Sequence, residues 1–176
     1  MKTIVWAALT ANGNYARGSA TRIPPKQSLE DFAAHAEAAG NFIAGRRTLE
    51  AFLGDPSRSV NNSSQAFAST TIVVVSRNDP GLPGVLHATS PAAALALLEQ
   101  RGYTSALVGG GETLINSFLA DDLVDELAFN VVPVLEDEGL RLVLPKERYR
   151  RLRRTELRDL GDGIVHLHYV LDRRPM

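Results

Sequence analysis

Val108-Gly109-Gly110-Gly111-Glu112-Thr113-Leu114 joins an apolar run, Ala106-Leu107-Val108, to a stretch ending at Leu119 whose apolar residues fit one helical face. Glycine inside a strand or helix costs stability relative to alanine. Three in succession therefore imply a sharp turn and the close approach of something to the main chain. A strand passing through glycines into a helix start also presents free N–H groups and the positive end of the helix dipole, which favour an anion such as a pyrophosphate. A tight turn with no ligand fits the same residues, so this stretch alone leaves both readings open.

On either side of it, short runs rich in Val, Ile and Ala alternate with segments of helical period, the pattern of an α/β architecture. Ile4 to Leu9 reads as a buried strand, followed by a polar loop from Thr10 to Gln27 with Asn12-Gly13 and Pro24-Pro25 as turn signals. Ser28 is the expected cap of a helix that ends at Gly40. Asn41 to Ala44 is a short strand, Gly45-Arg46-Arg47-Thr48 a turn, and Thr48 to Phe52 a brief helix. The Asn- and Ser-rich stretch from Gly54 to Ser64 reads as a surface loop. Thr71-Ile72-Val73-Val74-Val75, β-branched and apolar on both faces, predicts a buried parallel strand that Ser76-Arg77 ends. A short strand follows near Val85, and Ser90-Pro91 opens a helix that Gly102 closes. Leu123 to Leu135 is a strand region, and Gly161-Asp162-Gly163 turns a final hairpin.

The 176 residues, 44% hydrophobic and 22% charged, suffice for a single domain over residues 1–176. Nineteen basic against twenty acidic residues leave a net charge of -1, so no global field favours nucleic acid or an anionic membrane. Any anion site must be local. The absence of cysteine excludes disulfides and thiolate metal sites and is compatible with a reducing cytosol. The apolar part of MKTIVWAALTANG is too short for a signal core or a membrane span, and a cytoplasmic location is expected.

A dinucleotide fingerprint of the G-x-G-x-x-G kind fails at Leu114, and a P-loop fails because no Lys-Ser/Thr follows the glycines. Gly45-Arg46-Arg47-Thr48 nonetheless repeats the pattern of a strand ending in glycine at a helix start, with two guanidiniums and a hydroxyl added. Ser76-Arg77 offers the same chemistry after another strand. In a mostly parallel sheet these three strand ends lie on one edge, where open α/β sheets bind ligands.

The order of these motifs resembles a known family. An apolar first strand with an Asn-Gly loop, then GRRT, VVSR, VGGGETL and LVDELAFNVVPVLEDEG, is similar to the dihydrofolate reductase fold. It is closer still to the reductase domain of bacterial riboflavin biosynthesis and its uncharacterised relatives. The resemblance implies a three-layer domain with a central, mostly parallel sheet, a C-terminal antiparallel hairpin, NADPH lying across the strand ends, and hydride transfer from the nicotinamide. Carried over by position, it assigns Gly45, Arg46, Arg47 and Thr48 to the cofactor phosphates and Ser76 with Arg77 to the 2′-phosphate. Gly109, Gly110, Gly111, Glu112, Thr113 and Leu114 would cradle the pyrophosphate and the nicotinamide side. Asn12, Gly13, Asn14, Tyr15 and Ala16 would cover the nicotinamide.

Three positions depart from that pattern. Asn12 stands where riboflavin-type reductases usually carry Asp. Ser28 aligns with the early carboxylate of folate reductases, leaving Glu30 and Asp31 nearby as the acidic candidates for proton transfer. Asp137-Glu138-Gly139 replaces a Gly-x-Gly, and its acidity would repel a phosphorylated substrate. Elsewhere, His166 and His168 share a strand face, but with no third ligand at a suitable spacing no metal is expected. The arginine-rich run from Arg148 to Arg154 reads as a charged edge strand rather than a nucleic-acid patch, and Trp6 as a core residue.

The resulting expectation is an NADPH-dependent oxidoreductase acting on a planar heterocycle or similar conjugated small molecule. Riboflavin-pathway pyrimidine reduction is the specific alternative, and a non-catalytic nucleotide-binding or assembly protein is the alternative of another class. The resemblance, with the apolar segment Leu127 to Pro133, predicts a homodimer.

Overall fold

A computed structural model describes residues 1–15, 25–53, 67, 69–137, 139–145 and 149–172. Ala16, Glu138 and the Gly54 to Ser64 loop lie outside the described residues. Among those described, the strands are β1 (Lys2–Thr10), β2 (Asn41–Gly45), β3 (Thr71–Val75), β4 (Val85–Ala88), β5 (Ser105–Gly110), β6 (Glu126–Val132), β7 (Leu152–Gly161) and β8 (Ile164–Leu171). The helices are α1 (Lys26–Ala39), α2 (Arg46–Leu53), α3 (Pro91–Glu99) and α4 (Glu112–Ala120).

The strands form one sheet in the order β4-β3-β2-β5-β1-β6-β8-β7. Every pairing from β4 to β6 is parallel. Only β8 runs against its neighbours, β6 and β7, so the sheet is mostly parallel with a C-terminal antiparallel hairpin, as expected. Alternation of side chains divides the core into two layers. Trp6, Ala8, Phe42, Val74 and Leu107 face Phe32 and Ala36 of α1 and Leu49 of α2. Val5, Ala7, Ile43, Val73 and Val108 face Ala94 and Leu98 of α3 and Ile115 and Phe118 of α4. Phe32 anchors the first layer, its ring 5.1 Å from Trp6 and 5.5 Å from Phe42. Trp6 is thus a core residue, and burying side chains of this size contributes about 1.5–3 kcal/mol each.

Parallel pairing brings the C-terminal ends of β1, β2, β3, β5 and β6 to one edge, and the candidate loops follow from there. Two helix starts differ from the sequence reading. Pro25 accepts the first helical hydrogen bond of α1, from the Leu29 N–H at 3.1 Å, so the helix begins before Ser28. Ser28 is therefore no cap; it is fully buried within α1. α2 begins directly at Arg46, which turns Arg46 and Arg47 into first-turn residues. By contrast Ser90 caps α3 as expected, accepting from the Ala93 N–H at 3.2 Å.

The segment expected to supply a dimer interface is occupied otherwise. β6 lies between β1 and β8, with Leu127, Ala128, Asn130 and Val132 buried. Its apolarity on both faces is that of an interior strand. Of the arginine-rich run, Arg153 and Arg154 lie in the edge strand β7, which is exposed along nearly its whole length, and Arg150 and Arg151 precede it, while Arg148 lies outside the described residues.

Candidate functional site

Gly45 closes β2 and Gly111 precedes α4, and the two glycines sit side by side. A Cβ on Gly45 would lie 3.8 Å from the Gly111 nitrogen and 3.9 Å from the Leu114 Cβ. The N-termini of α2 and α4 consequently open together onto one cleft of about 710 Å³. Gly45, Arg46, Arg47, Thr48, Ser76, Arg77, Gly111, Glu112, Thr113 and Leu114 all line it. Two helix-dipole ends and three guanidiniums make its wall attractive to an anion with more than one charge. Arg46 is tied to Glu50 at 2.9 Å, a solvated pair one helical turn apart. Arg47 and Arg77 are exposed. The Ser76 hydroxyl donates to the Asn78 carbonyl at 2.6 Å. Glu112 is the acidic member of the wall, held by the Asn116 amide at 2.7 Å.

The three glycines each have a separate reason. A Cβ on Gly109 would come within 2.7 Å of the Phe32 ring, and one on Gly111 within 2.7 Å of the Thr48 hydroxyl. Gly110, at φ 113, packs under the Tyr15 hydroxyl, where a Cβ would approach to 2.2 Å. The close approach inferred from the sequence is thus made in the first place by the protein's own side chains. Only Gly111 of the three lines the cleft.

The first loop is pinned to the far side of the same edge. The Tyr15 N–H donates to the Leu140 carbonyl at 2.7 Å, and Leu140 lines the cleft. Burial, with the Glu112 charge as a second cause, pushes the Tyr15 phenol up to about 12. Asn12 clamps the loop to the chain after β6, donating to the Glu136 carbonyl at 2.6 Å and accepting from its N–H at 3.2 Å. An aspartate could accept there but not donate, which gives the amide at this position a structural reason. Gly13, at φ 82, turns the loop. Gly139 is equally constrained, since a Cβ would meet the Asn14 side chain at 2.4 Å.

Glu30 and Asp31 line a different cleft, about 430 Å³ between α1 and β7. Glu30 is exposed beside Lys26 at 3.4 Å. Asp31 is buried and accepts from Trp6 Nε1 at 2.8 Å, Asn130 Nδ2 at 3.1 Å and Arg158 at 2.8 Å. Burial is the largest single influence on its carboxyl and acts upward. The His166 imidazole, its Nδ1 3.3 Å from the carboxylate, hydrogen bonds from Trp6 and Arg158 and the nearby His35 outweigh it and hold the group well below the usual carboxylate range. An ionised carboxylate has no proton to give.

Against this geometry, the family model of the RibD C-terminal domain matches residues 4–166. The chain belongs to that family. It is a reductase-domain family, and similar proteins share its fold at low identity. A putative riboflavin biosynthesis protein from Shewanella sp. PV-4 superimposes with a TM-score of 0.76 at 22% identity, over 98% of this chain and 100% of that one. RibD of Acinetobacter baumannii gives 0.72 at 20%, over 97% of this chain but 58% of that one. Dihydrofolate reductase from Enterococcus faecalis, solved with NADP(H), gives 0.70 at 16%, over 97% and 96%. The uncharacterized protein YwjB of Bacillus subtilis is 32% identical over 75 residues, a match spanning 43% of this chain and 42% of that protein.

Within this member of the RibD C-terminal family, sequence reasoning missed the polar network around Asp31. His35, Asn130, Arg158 and His166 come from α1, β6, β7 and β8, and only the sheet order brings them together. The one local signal was the pairing of Asp31 with His35, four residues apart on α1.

Proposed function

We propose that this protein is an NADPH-dependent reductase that transfers a hydride to a planar heterocycle or similar conjugated small molecule. The carrying observation is the single cleft that gathers two helix N-termini with Arg46, Arg47 and Arg77 at the sheet's C-terminal edge. Its charge pattern suits a pyrophosphate flanked by a further phosphate. Because the Ser76 hydroxyl proton is directed at Asn78, recognition of a 2′-phosphate falls chiefly on Arg77. The cofactor supplies the hydride, and the protein supplies position and field.

Family membership favours a riboflavin-pathway pyrimidine as the specific substrate, and the exposed Asp137 beside the first loop weighs against a phosphorylated one. The test is to mix the protein with NADPH and a panel of conjugated heterocycles and follow loss of the reduced nicotinamide's absorbance. Multiple turnovers with at least one compound are expected. NADPH binding without oxidation across the panel would favour a nucleotide-binding role instead, and absence of binding would remove the reading.

A further inference from the structure

Below Asp31, on the α1 side of the sheet, His35, His166 and His168 form a cluster in which one ring nitrogen from each lies within 4.8 Å of the other two. The ring centroids are 5.2 to 6.3 Å apart. Their hydrogen bonds fix which nitrogen of each ring carries the proton. His35 Nδ1 lies 2.8 Å from the Asp31 main-chain carbonyl, which can only accept, so Nδ1 donates. His168 Nε2 lies 3.0 Å from a Glu126 carboxylate oxygen and donates likewise. The Asn130 amide must turn its NH2 toward Asp31, which leaves its oxygen to accept from His166 Nδ1 at 2.7 Å. Each imidazole therefore has one anchored N–H and one remaining lone pair.

His166 is the most constrained of the three. It is fully buried, and its Nε2 has no hydrogen-bond partner. A buried lone pair without a donor is costly, and protonating it would create a buried N–H without an acceptor instead. A single water has two protons and satisfies two of the three nitrogens. A metal ion accepts from all three. Metal-bound histidines characteristically donate their second nitrogen to a carboxylate, carbonyl or similar oxygen, which is the arrangement of all three rings here.

We propose that His35, His166 and His168 bind a divalent transition-metal ion of the zinc class. Imidazole suits such ions. Bonds of about 2.0–2.1 Å in tetrahedral geometry place the nitrogens about 3.3 Å apart, so the rings, which hold one nitrogen each within 4.8 Å of the others, turn and draw together on binding. Three protein ligands leave a fourth position for water. His35 also lines the cleft between α1 and β7, which gives that position an approach from solvent. The sequence concealed the site because the third histidine comes from α1, far from β8 along the chain. The inference is independent of the reductase reading.

The test uses the full chain, free of any histidine tag and stripped with chelator. Titration with Co2+ should give the visible d–d bands of a four-coordinate ion at one equivalent, displaced by Zn2+. His35→Gln and His168→Gln, both outside the fully buried core, should each weaken binding about ten-fold or more, since altering even outer-shell partners costs that much. His87→Gln, in which the remaining histidine of the chain is replaced, should bind like the unaltered protein. Circular dichroism checks that the variants remain folded. Failure of the unaltered protein to take up one equivalent of either ion would overturn the proposal, as would unchanged affinity in both the His35 and His168 variants.

Discussion

Asp31 concentrates more of this protein's polar architecture than any catalytic assignment conveys. It satisfies Trp6, Asn130 and Arg158 at once, so its removal strands donors from three strands. We expect Asp31→Ala to destabilise the fold by about 3 kcal/mol in urea unfolding, chiefly from buried donors left unsatisfied. Arg158 adds less, because its side chain is 43% exposed and solvent screens the pair. A loss below about 1 kcal/mol would show that water takes over the carboxylate's role. The sequence displayed Asp31 only as an acid in the first turns of a helix. Its function as a buried hub depends on β6, β7 and β8 arriving beside α1, and no local spacing encodes that. The glycines show the complementary case: their need for bare main chain was legible, while the occupants, Phe32, Tyr15 and Thr48, are set by tertiary packing.

At the scale of elements, the strands and helices followed their local chemistry closely. The β-branched run became β3, Ser90 capped α3, and Gly161-Asp162-Gly163 turned the hairpin with all three residues at positive φ. What local pattern misjudged were starts and neighbours. Pro25 displaced Ser28 as the N-cap of α1, and β6 proved interior because β8 pairs with its other side. The first loop is a further element held by distant contacts, with Tyr15 bridging Leu9 and Leu140. Its titration gives a prediction with a definite sign. The folded phenol ionises near 12 and the unfolded one near 10.0, so the folded state holds the proton more tightly. The associated stability is complete below about pH 10 and is lost as pH rises toward 12, with a slope of up to about 1.4 kcal/mol per pH unit. Denaturant titrations across that range should show a steeper alkaline loss for the unaltered protein than for Tyr15→Phe. Identical profiles would mean that the hydroxyl is solvated.

For the whole molecule, one mostly parallel sheet brings the strand ends and the loops that follow them to one edge, and no helix among the described residues is long and apolar enough to cross a membrane. The homodimer suggested by the family resemblance is a proposal about other surfaces than β6. Light scattering at micromolar concentration should give twice the 19.0 kDa of the chain, and a particle of 19.0 kDa would remove it. Cofactor choice tests the proposed reductase reading, because Arg46, Arg47 and Arg77 line one cleft. NADPH differs from NADH by a 2′-phosphate, and a charge-assisted hydrogen bond to it is worth about 1.5–3 kcal/mol, or roughly ten- to a hundred-fold in affinity. Equilibrium titration of the unaltered protein and of Arg77→Ala with both cofactors is therefore decisive. Arg77→Ala should weaken NADPH binding by about that factor and leave NADH binding nearly unchanged. Equal loss for both cofactors, or no loss for either, would contradict it.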